Sequence, residues 1–430
     1  MDLPPMPPLH VRLKKIREAL GYTQGEFGDA MPVPVDHSWV SRVEKGNSHI
    51  SPNYLDGTRT AANAEFLPLA DHEFPVFNQN VYKLRELVRN GDDEAAKALQ
   101  PKLELAARFS FVTDCQVQFN LTNAVYCRTY NDMDGHGSMM LWLKEHEKDF
   151  FYKEEHALYE LELGASEQLE YRYKPALAHY FEAERLGLPT ELDIGTFYYN
   201  SGVCLKDMGY PYLSNPYFEK ALQLADKRGN YRYIINVKCY QAFNYSMTNR
   251  FDDAHKILSN CRLEAKTKRD MAHWTAIIDG RTGLVYQNAG NYDNALAYFD
   301  SALKYHKKGS DIYVFILCHK ASTLFAMKKP AEALKCIEEG LSMAKKGSIW
   351  QVWLQAMKDS MTLNVEKCLK YIQFTAIPKF LEHGENWLAI KFHLLLSEYY
   401  KKINKRNAAL EHHQLAFALQ EKLLKGDLGI

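Results

Sequence analysis

The sequence predicts an all-α protein in which a small helix-turn-helix domain precedes a long right-handed solenoid of helical hairpins. Small residues recur at fixed offsets through the last two-thirds of the chain, as helix pairs require where they approach closely. The first 66 residues instead have short helical patterns separated by tight turns. A chain of 430 residues is also too long for one compact core.

Seven copies of a triplet of small residues define the hairpins. In one copy Gly283 lies twelve residues before Ala295, and Ala302 lies seven residues after it. The same offsets occur in Gly164/Ala176/Ala183, Gly202/Ser214/Ala221, Ala242/Ala254/Cys261, Ala321/Ala333/Gly340, Ala356/Cys368/Thr375 and Ser397/Ala409/Ala416. These offsets resemble the tetratricopeptide repeat, whose unit of about 34 residues is lengthened here by longer loops. The resemblance implies a right-handed superhelical solenoid.

The first helices of such repeats line a concave face that suits an extended peptide. Amide side chains there can pair with the peptide backbone, aromatic side chains can hold apolar groups, and Arg281 or Lys206 can take a carboxylate. The candidate peptide-binding residues are Tyr199, Asn200, Lys206, Asn236, Phe243, Arg281, Gln287, Asn288, Phe315, His319, Trp350 and Trp353. The alternative is an array that serves only as a scaffold.

Three short helices are predicted in the N-terminal head. Residues 9–20 have a helical apolar face, and a glycine follows them. Thr23 then forms a capping box with Glu26 and so begins a second helix. After a turn that contains two prolines, Asp36 can cap a third helix over residues 37–45. The head therefore has the plan of a helix-turn-helix domain.

The head resembles the Xre and phage-repressor type of helix-turn-helix domain in its patterns I-R-x-x-x-G-x-T-Q and V-S-R-x-E-x-G. The resemblance implies that Gln24 contacts a DNA phosphate. It also implies that His37, Ser38 and Arg42 face base edges, and an arginine suits guanine O6 and N7. Together with Lys45 these are the candidate DNA-binding residues.

Arg17 and Glu44 match the pair that ties the first helix to the third in such domains. Three features depart from the pattern. The turn at residues 31–35 is about two residues longer than usual, and Gly28 stands where a small alanine is expected. Residues 56–60 form a weak pattern in place of the usual apolar fourth and fifth helices. The alternative interpretation is a relic head that makes protein contacts.

The predicted domains follow from these patterns. Prolines between Phe66 and Asn80 interrupt the helical pattern, and two hairpins after them lack the small-residue triplets. The ranges are a DNA-binding domain at 1–66, a linker at 67–79, degenerate helical repeats at 80–150, and seven repeats for peptide binding and dimerisation at 151–430.

Composition and motifs exclude several function classes. Lys plus Arg and Asp plus Glu each number 53, so no global positive field favours nucleic acid. Eight scattered cysteines without C-x-x-C or Cys/His spacing predict reduced core residues. Neither a signal peptide nor a long apolar run is present, so we expect a cytoplasmic protein without a membrane partner. No catalytic motif occurs, so we expect neither an enzyme nor a cofactor or metal site.

A repressor-type head followed by tetratricopeptide repeats resembles the RRNPP regulators, which include the Rap, Rgg, NprR, PlcR and PrgX types, and is similar to Alo-type and arbitrium-type receptors. The resemblance implies a cytoplasmic quorum-sensing transcription regulator that acts as a homodimer on a double-stranded DNA operator. A short, re-imported signalling peptide on the concave face is expected to switch it.

Two alternatives from other classes remain. The first is a tetratricopeptide adaptor that sequesters a partner protein and has a relic head that does not bind DNA. The second is an enzyme such as a response-regulator phosphatase, which the lack of catalytic motifs disfavours.

Overall fold

The structure is a computed structural model that describes residues 6–226, 231–266, 271–361 and 365–426. Every regular element within these ranges is a helix. The chain forms two compact units, which we call the N-terminal unit (1–163 with 181–193) and the array unit (164–180 with 194–430). None of the helices in the described ranges combines the length and the apolar character that a bilayer crossing requires.

The head begins the N-terminal unit. Its helices are α1 (Leu9–Ala19), α2 (Gln24–Asp29), α3 (His37–Glu44) and α4 (Pro52–Ala61). The predicted capping box is present: the Glu26 backbone N–H donates to Thr23 Oγ1 at 3.2 Å, and the Thr23 N–H donates to the Glu26 carboxylate at 2.8 Å. Asp36 caps α3 by accepting from the backbone N–H of Trp39 at 3.0 Å. The sequence therefore placed these helix starts correctly.

The segment 67–79 belongs to the core of the N-terminal unit. Leu67 and Leu69 are buried, and the Arg12 guanidinium donates to the carbonyls of Pro68 and Leu69 at 3.0 and 2.7 Å. A helix also begins inside the segment, with its proline in the first turn, where the missing N–H costs no hydrogen bond. The prediction of a linker is therefore wrong, because it took this proline as a helix breaker.

Four helices occupy the range predicted as degenerate repeats, and the first of them begins before it, at Phe74. They are α5 (Phe74–Asn90), α6 (Asp93–Ser110), α7 (Thr113–Thr129) and α8 (Met133–Glu145). Their core is continuous with that of the head, since Leu13, Phe27, Leu84 and Leu103 belong to one buried cluster. The head is thus fused to the hairpins that follow it.

The remaining helices form the repeats. They are α9 (Lys153–Leu169), α10 (Tyr173–Leu186), α11 (Glu191–Asp207), α12 (Pro211–Asp226), α13 (Tyr231–Met247), α14 (Phe251–Ala265), α15 (Met271–Asn288), α16 (Tyr292–Leu303), α17 (Asp311–Ala326), α18 (Pro330–Met343), α19 (Ile349–Met361), α20 (Val365–Tyr371), α21 (Ile377–Glu382), α22 (Asn386–Lys402) and α23 (Arg406–Lys425). The boundary between the two units passes through α9, α10 and α11. All eight cysteines are buried and free.

Close approach within the hairpins explains the small residues. A Cβ atom on Gly202 would lie 2.7 Å from the Phe218 ring, and one on Gly283 would lie 2.6 Å from the Phe299 ring. Both distances are shorter than a van der Waals contact, so a larger residue would push the two helices apart. The triplets therefore mark real hairpins.

One triplet member is misplaced. Thr375 is exposed, whereas Ala376 is fully buried. A π-helical turn at Ile372–Ala376 separates α20 from α21 and adds one residue to the repeat. The constant spacing assumed in the sequence analysis could not anticipate this insertion, so the buried small residue is Ala376.

Candidate ligand cavity

The array unit contains a cavity of about 740 Å³. Its wall is built from α11, α13, α15, α17, α19 and α22, with a few residues from the turns between them. Each of these six helices is the first helix of a repeat, as predicted for a concave ligand site. The volume lies in the range of about 300–1,000 Å³ that is usual for ligand pockets.

Eight of the twelve predicted peptide-binding residues line this cavity. They are Lys206, Phe243, Arg281, Gln287, Asn288, Phe315, His319 and Trp350. The other four lie elsewhere. Asn200 is buried and Asn236 is half-buried, both away from the cavity wall. The ring of Tyr199 packs on that of Tyr233 with 4.8 Å between centroids, and Trp353 is 1% exposed and borders a separate cavity of about 240 Å³.

Aromatic rings surround His319 on the cavity wall. Its imidazole lies 4.6 Å from the Phe315 ring and 5.0 Å from the Trp353 ring, between centroids. Trp387 stacks almost parallel to it at 5.9 Å, and Trp350 lies 5.1 Å from Phe315. This part of the wall therefore suits an apolar or aromatic ligand group.

Gln287 holds His319 in a fixed orientation. The Gln287 amide donates to the His319 carbonyl at 3.0 Å and to Thr323 Oγ1 at 2.8 Å, and its oxygen accepts from His319 Nδ1 at 2.8 Å. Burial and then the positive charges of Lys391 and Arg281 lower the pKa of His319 well below its ordinary value, so the ring is neutral. The Gln287 amide is therefore engaged within the protein, which differs from the predicted pairing with a peptide backbone.

Asn288 is engaged in a similar way. Its amide donates to Ser246 Oγ at 2.9 Å. Both amides thus connect neighbouring first helices across the wall: Gln287 joins α15 to α17, and Asn288 joins α15 to α13.

The charged residues of the cavity differ in their partners. Lys206 contacts the carboxylate of Asp207 and lies over the Tyr240 ring at 5.0 Å. The Arg281 guanidinium lies over the same ring, with its carbon 4.7 Å from the centroid. Lys391 Nζ donates to Ser322 Oγ at 2.9 Å. Lys391 is accessible from the cavity, yet its ammonium is surrounded by protein, which lowers its pKa to about 8.

Glu385, Trp387 and Lys391 also line the cavity; they lie at the start of the last repeat and are not among the residues predicted from the sequence. Burial, and then the charge of Asp207, raise the pKa of the Glu385 carboxyl group to about 8. Its carboxyl oxygen accepts from Trp387 Nε1 at 2.5 Å. A signal for Lys391 was present: it lies six residues before Ser397, as Phe315 lies before Ala321 and Trp350 before Ala356 in equivalent repeats.

Three hydrogen bonds join the first two repeats of the array unit to the last two, and two of the residues involved, Tyr171 and Trp350, line the cavity. Trp350 Nε1 donates to the Tyr171 hydroxyl at 3.2 Å, and His383 Nδ1 lies 3.2 Å from the Tyr171 carbonyl oxygen. Asn386 Nδ2 donates to the Met208 carbonyl at 3.0 Å. We call these three hydrogen bonds the clasp.

The head presents a second candidate surface on α3. His37, Ser38, Arg42 and Lys45 are all exposed, and Arg42 Nη1 lies 3.5 Å from Ser38 Oγ. A hydrogen bond from Ser38 holds the pKa of the Asp36 carboxyl group below its ordinary value. These four side chains form a polar surface that solvent and partners can reach.

Gln24 occupies a different environment. Its amide donates to Glu44 Oε2 at 2.8 Å, and Glu44 also accepts from Arg17 Nε at 2.5 Å. Glu44 and Arg17 are both buried, so the predicted tie between α1 and α3 is present. Gln24 belongs to the same network and is half-buried, whereas the sequence analysis assigned it to a phosphate.

The helical array and its cavity define an all-α protein of the tetratricopeptide-repeat class. The sequence profile of the tetratricopeptide repeat family matches residues 195–228 and 281–307. No curated protein matches the chain in sequence.

Solved structures of a Rap protein and of the quorum sensor NprR share the fold. A Rap protein complexed with competence and sporulation factor has a TM-score of 0.70 and 15% identity, covering 82% of this chain and 99% of its own. NprR in complex with its cognate peptide NprX has a TM-score of 0.69 and 17% identity, and the match covers 80% of this chain and 98% of the NprR chain. The apo form of the quorum sensor NprR from B. thuringiensis has a TM-score of 0.61 and 18% identity, and the match covers 81% of this chain and 100% of the NprR chain. The resemblance to this group is therefore confirmed for the fold.

Proposed function

We propose that the chain is a cytoplasmic receptor in which the cavity of the array holds a short signalling peptide and thereby switches DNA binding by the head. The observation that carries the proposal is the cavity of about 740 Å³. Its wall combines aromatic rings with a few positive charges. It also lies on the first helices of the repeats, and a matched fold, that of NprR, has been solved with its cognate peptide. The proposed role is that of a receptor without enzymatic activity.

Peptide binding is tested by purifying the protein from its native cells and identifying small bound peptides by mass spectrometry. We expect one short peptide to co-purify and to raise the melting temperature when it is added back. If no peptide is found, and concentrated culture supernatant gives no thermal shift, the receptor proposal fails.

We propose that α3 of the head reads DNA. Its exposed His37, Ser38 and Arg42 stand at the positions that the repressor-type pattern assigns to base contacts, with Lys45 beside them. Arg42→Ala is expected to cost about 1–3 kcal/mol of specific binding free energy, because the bidentate contact to guanine is lost. A gel shift on genomic fragments and peptide calorimetry measure the two activities separately. Peptide affinity is expected to stay unchanged, and equal loss of both would show that the head and the array do not divide the two tasks.

We propose that the protein acts as a homodimer, because one head buries too little DNA for tight specific binding. The last helix of the array favours a second copy as the partner. Its Leu410, Phe417 and Leu424 are 57%, 64% and 71% exposed and lie seven residues apart, which is about two helical turns and therefore one face. This apolar stripe can pair with the same stripe of another copy in antiparallel orientation.

Sedimentation velocity tests the dimer. Phe417→Asp is expected to shift the protein from dimer to monomer. Val76→Asp in α5, where the valine is also more than half exposed, is expected to leave the dimer intact. A wild-type monomer at micromolar concentration would contradict the proposal.

The alternative is an adaptor that sequesters a partner protein. The engagement of Gln24 by Glu44 favours it, because one predicted phosphate contact is then occupied within the head. The absence of any gel shift at low salt, with or without peptide, would support the adaptor, since non-specific binding to DNA is strongest there.

A further inference from the structure

Three cations face the cavity, and they differ in whether a carboxylate accompanies them. Lys206 contacts Asp207. Arg281 instead contacts the Tyr240 ring, and Lys391 contacts the Ser322 hydroxyl. Among the residues that the structure describes, neither Arg281 nor Lys391 has a carboxylate within ion-pair distance.

The acidic groups of the wall do not compensate these two cations. Asp311 is paired with Lys345 at 3.0 Å, and Asp207 is paired with Lys206. Because its burial raises the pKa of Glu385 to about 8, this carboxyl group is mostly protonated at neutral pH. Arg281 and Lys391 are therefore the two cations of the described wall that no carboxylate accompanies.

Such charges are costly where water is partly excluded, and a bound carboxylate offsets the cost. Arg281 and Lys391, like Lys206, are close enough to His319 to lower its pKa. Phe315, Trp350 and Trp387 line the same cavity, and a side chain or backbone of a ligand can pack on their rings.

We infer that the cavity selects an acidic peptide, which places one carboxylate on Arg281 and another on Lys391. This inference rests on the proposed peptide-receptor function and names the chemical class of the ligand. A peptide with a single Asp or Glu already has two carboxylates, that of the side chain and that of the C-terminus. Arg281 offers a planar fork for a bidentate contact, and Lys391 offers a point charge.

Affinity selection with a random heptapeptide library tests the inference on the full-length protein. One library has free C-terminal carboxylates, and a matched library is amidated at the C-terminus. The variants are Arg281→Gln and Lys391→Met. Their controls are Arg406→Gln and Lys335→Met, which remove exposed charges outside the cavity.

The wild type and both controls are expected to retain peptides enriched in Asp or Glu. The most enriched peptide is then synthesised with its acidic residue changed to the amide, and separately with a C-terminal amide. Each change is expected to weaken binding to the wild type about tenfold to hundredfold, as the loss of a charged hydrogen bond does. Each cation variant is expected to become insensitive to one of the two changes.

Three results would overturn the inference in distinguishable ways. Retained peptides without acidic enrichment would contradict the acidic class while leaving the receptor function standing. Equal binding by the wild type and both cation variants would show that Arg281 and Lys391 take no carboxylate. A wild type that retains no peptide from either library would contradict the receptor function itself.

Discussion

The wall of the array cavity and the exposed face of α3 in the head differ in how strongly the structure alone supports each as a binding site. In the cavity, His319, Gln287 and Glu385 are buried or half-buried, and each has specific hydrogen-bond partners. On α3 the candidate side chains are exposed, as solvated residues on any helix are. Burial of polar groups therefore marks the cavity as a built site, whereas the α3 surface depends on its resemblance to repressor-type heads.

The head also contains one buried polar pair, and breaking it is expected to have the largest effect. Arg17→Ala leaves the buried Glu44 carboxylate without its main partner. We expect the free energy of unfolding of the N-terminal unit to fall by about 3–5 kcal/mol, measured by urea denaturation. The control Glu18→Ala removes an exposed carboxylate 3.6 Å from Arg17 and should change stability by less than about 0.5 kcal/mol. A similar loss of unfolding free energy in Arg17→Ala and Glu18→Ala would contradict the claim that the buried pair contributes more to stability than the exposed carboxylate.

Glu385 predicts a pH dependence specific to the array. Its pKa is raised from 4.5 to about 8, so the folded protein keeps a proton that the unfolded chain releases. The free energy of unfolding therefore falls as pH rises from about 5 to 8, by a few kcal/mol at most. Asp207 and Lys206 are the charged groups that face it. Glu385→Gln should remove this decrease of the free energy of unfolding with pH, whereas the exposed control Glu382→Gln should keep it. If the decrease persists in Glu385→Gln, Glu385 is not its cause.

Removing the Gln287 amide is expected to have a smaller effect. Gln287→Ala leaves His319 Nδ1 without an acceptor and should destabilise the array by about 1–3 kcal/mol. Peptide affinity should fall as well, because His319 is no longer held against the aromatic wall. Thermal unfolding with and without the retained peptide measures both effects, with the exposed Gln223→Ala as control. Unchanged affinity would mean that His319 is structural only.

The sequence predicted what depends on regular spacing. Gly202 and Gly283 were found because their hairpins share one offset, and eight wall residues followed from the inward positions of first helices. What it could not predict depends on irregularity. The π-turn at Ile372–Ala376 shifts the register of its repeat. Lys391 is a different case, because its spacing from Ser397 equals that of Phe315 from Ala321, so regular spacing does predict it as a wall residue.

The hydrogen-bond partners of polar side chains could not be predicted from the sequence either. Gln24, Gln287 and Asn288 are of residue types that often contact ligands, yet their amides form hydrogen bonds with other groups of the protein. These hydrogen-bond partners lie 20, 36 and 42 residues away along the chain, and tertiary packing, which a single sequence does not show, brings them together.

The clasp has a kinetic consequence. Trp350 and His383 bind the turn at Tyr171, and Asn386 binds Met208, so the earliest and latest repeats of the array unit are joined beside the cavity. A ligand that must part these contacts enters at a rate set by how often they open, and it leaves at a rate limited in the same way. For the proposed receptor we therefore expect slow exchange of the bound peptide, so that the peptide stays bound through a brief fall in its free concentration.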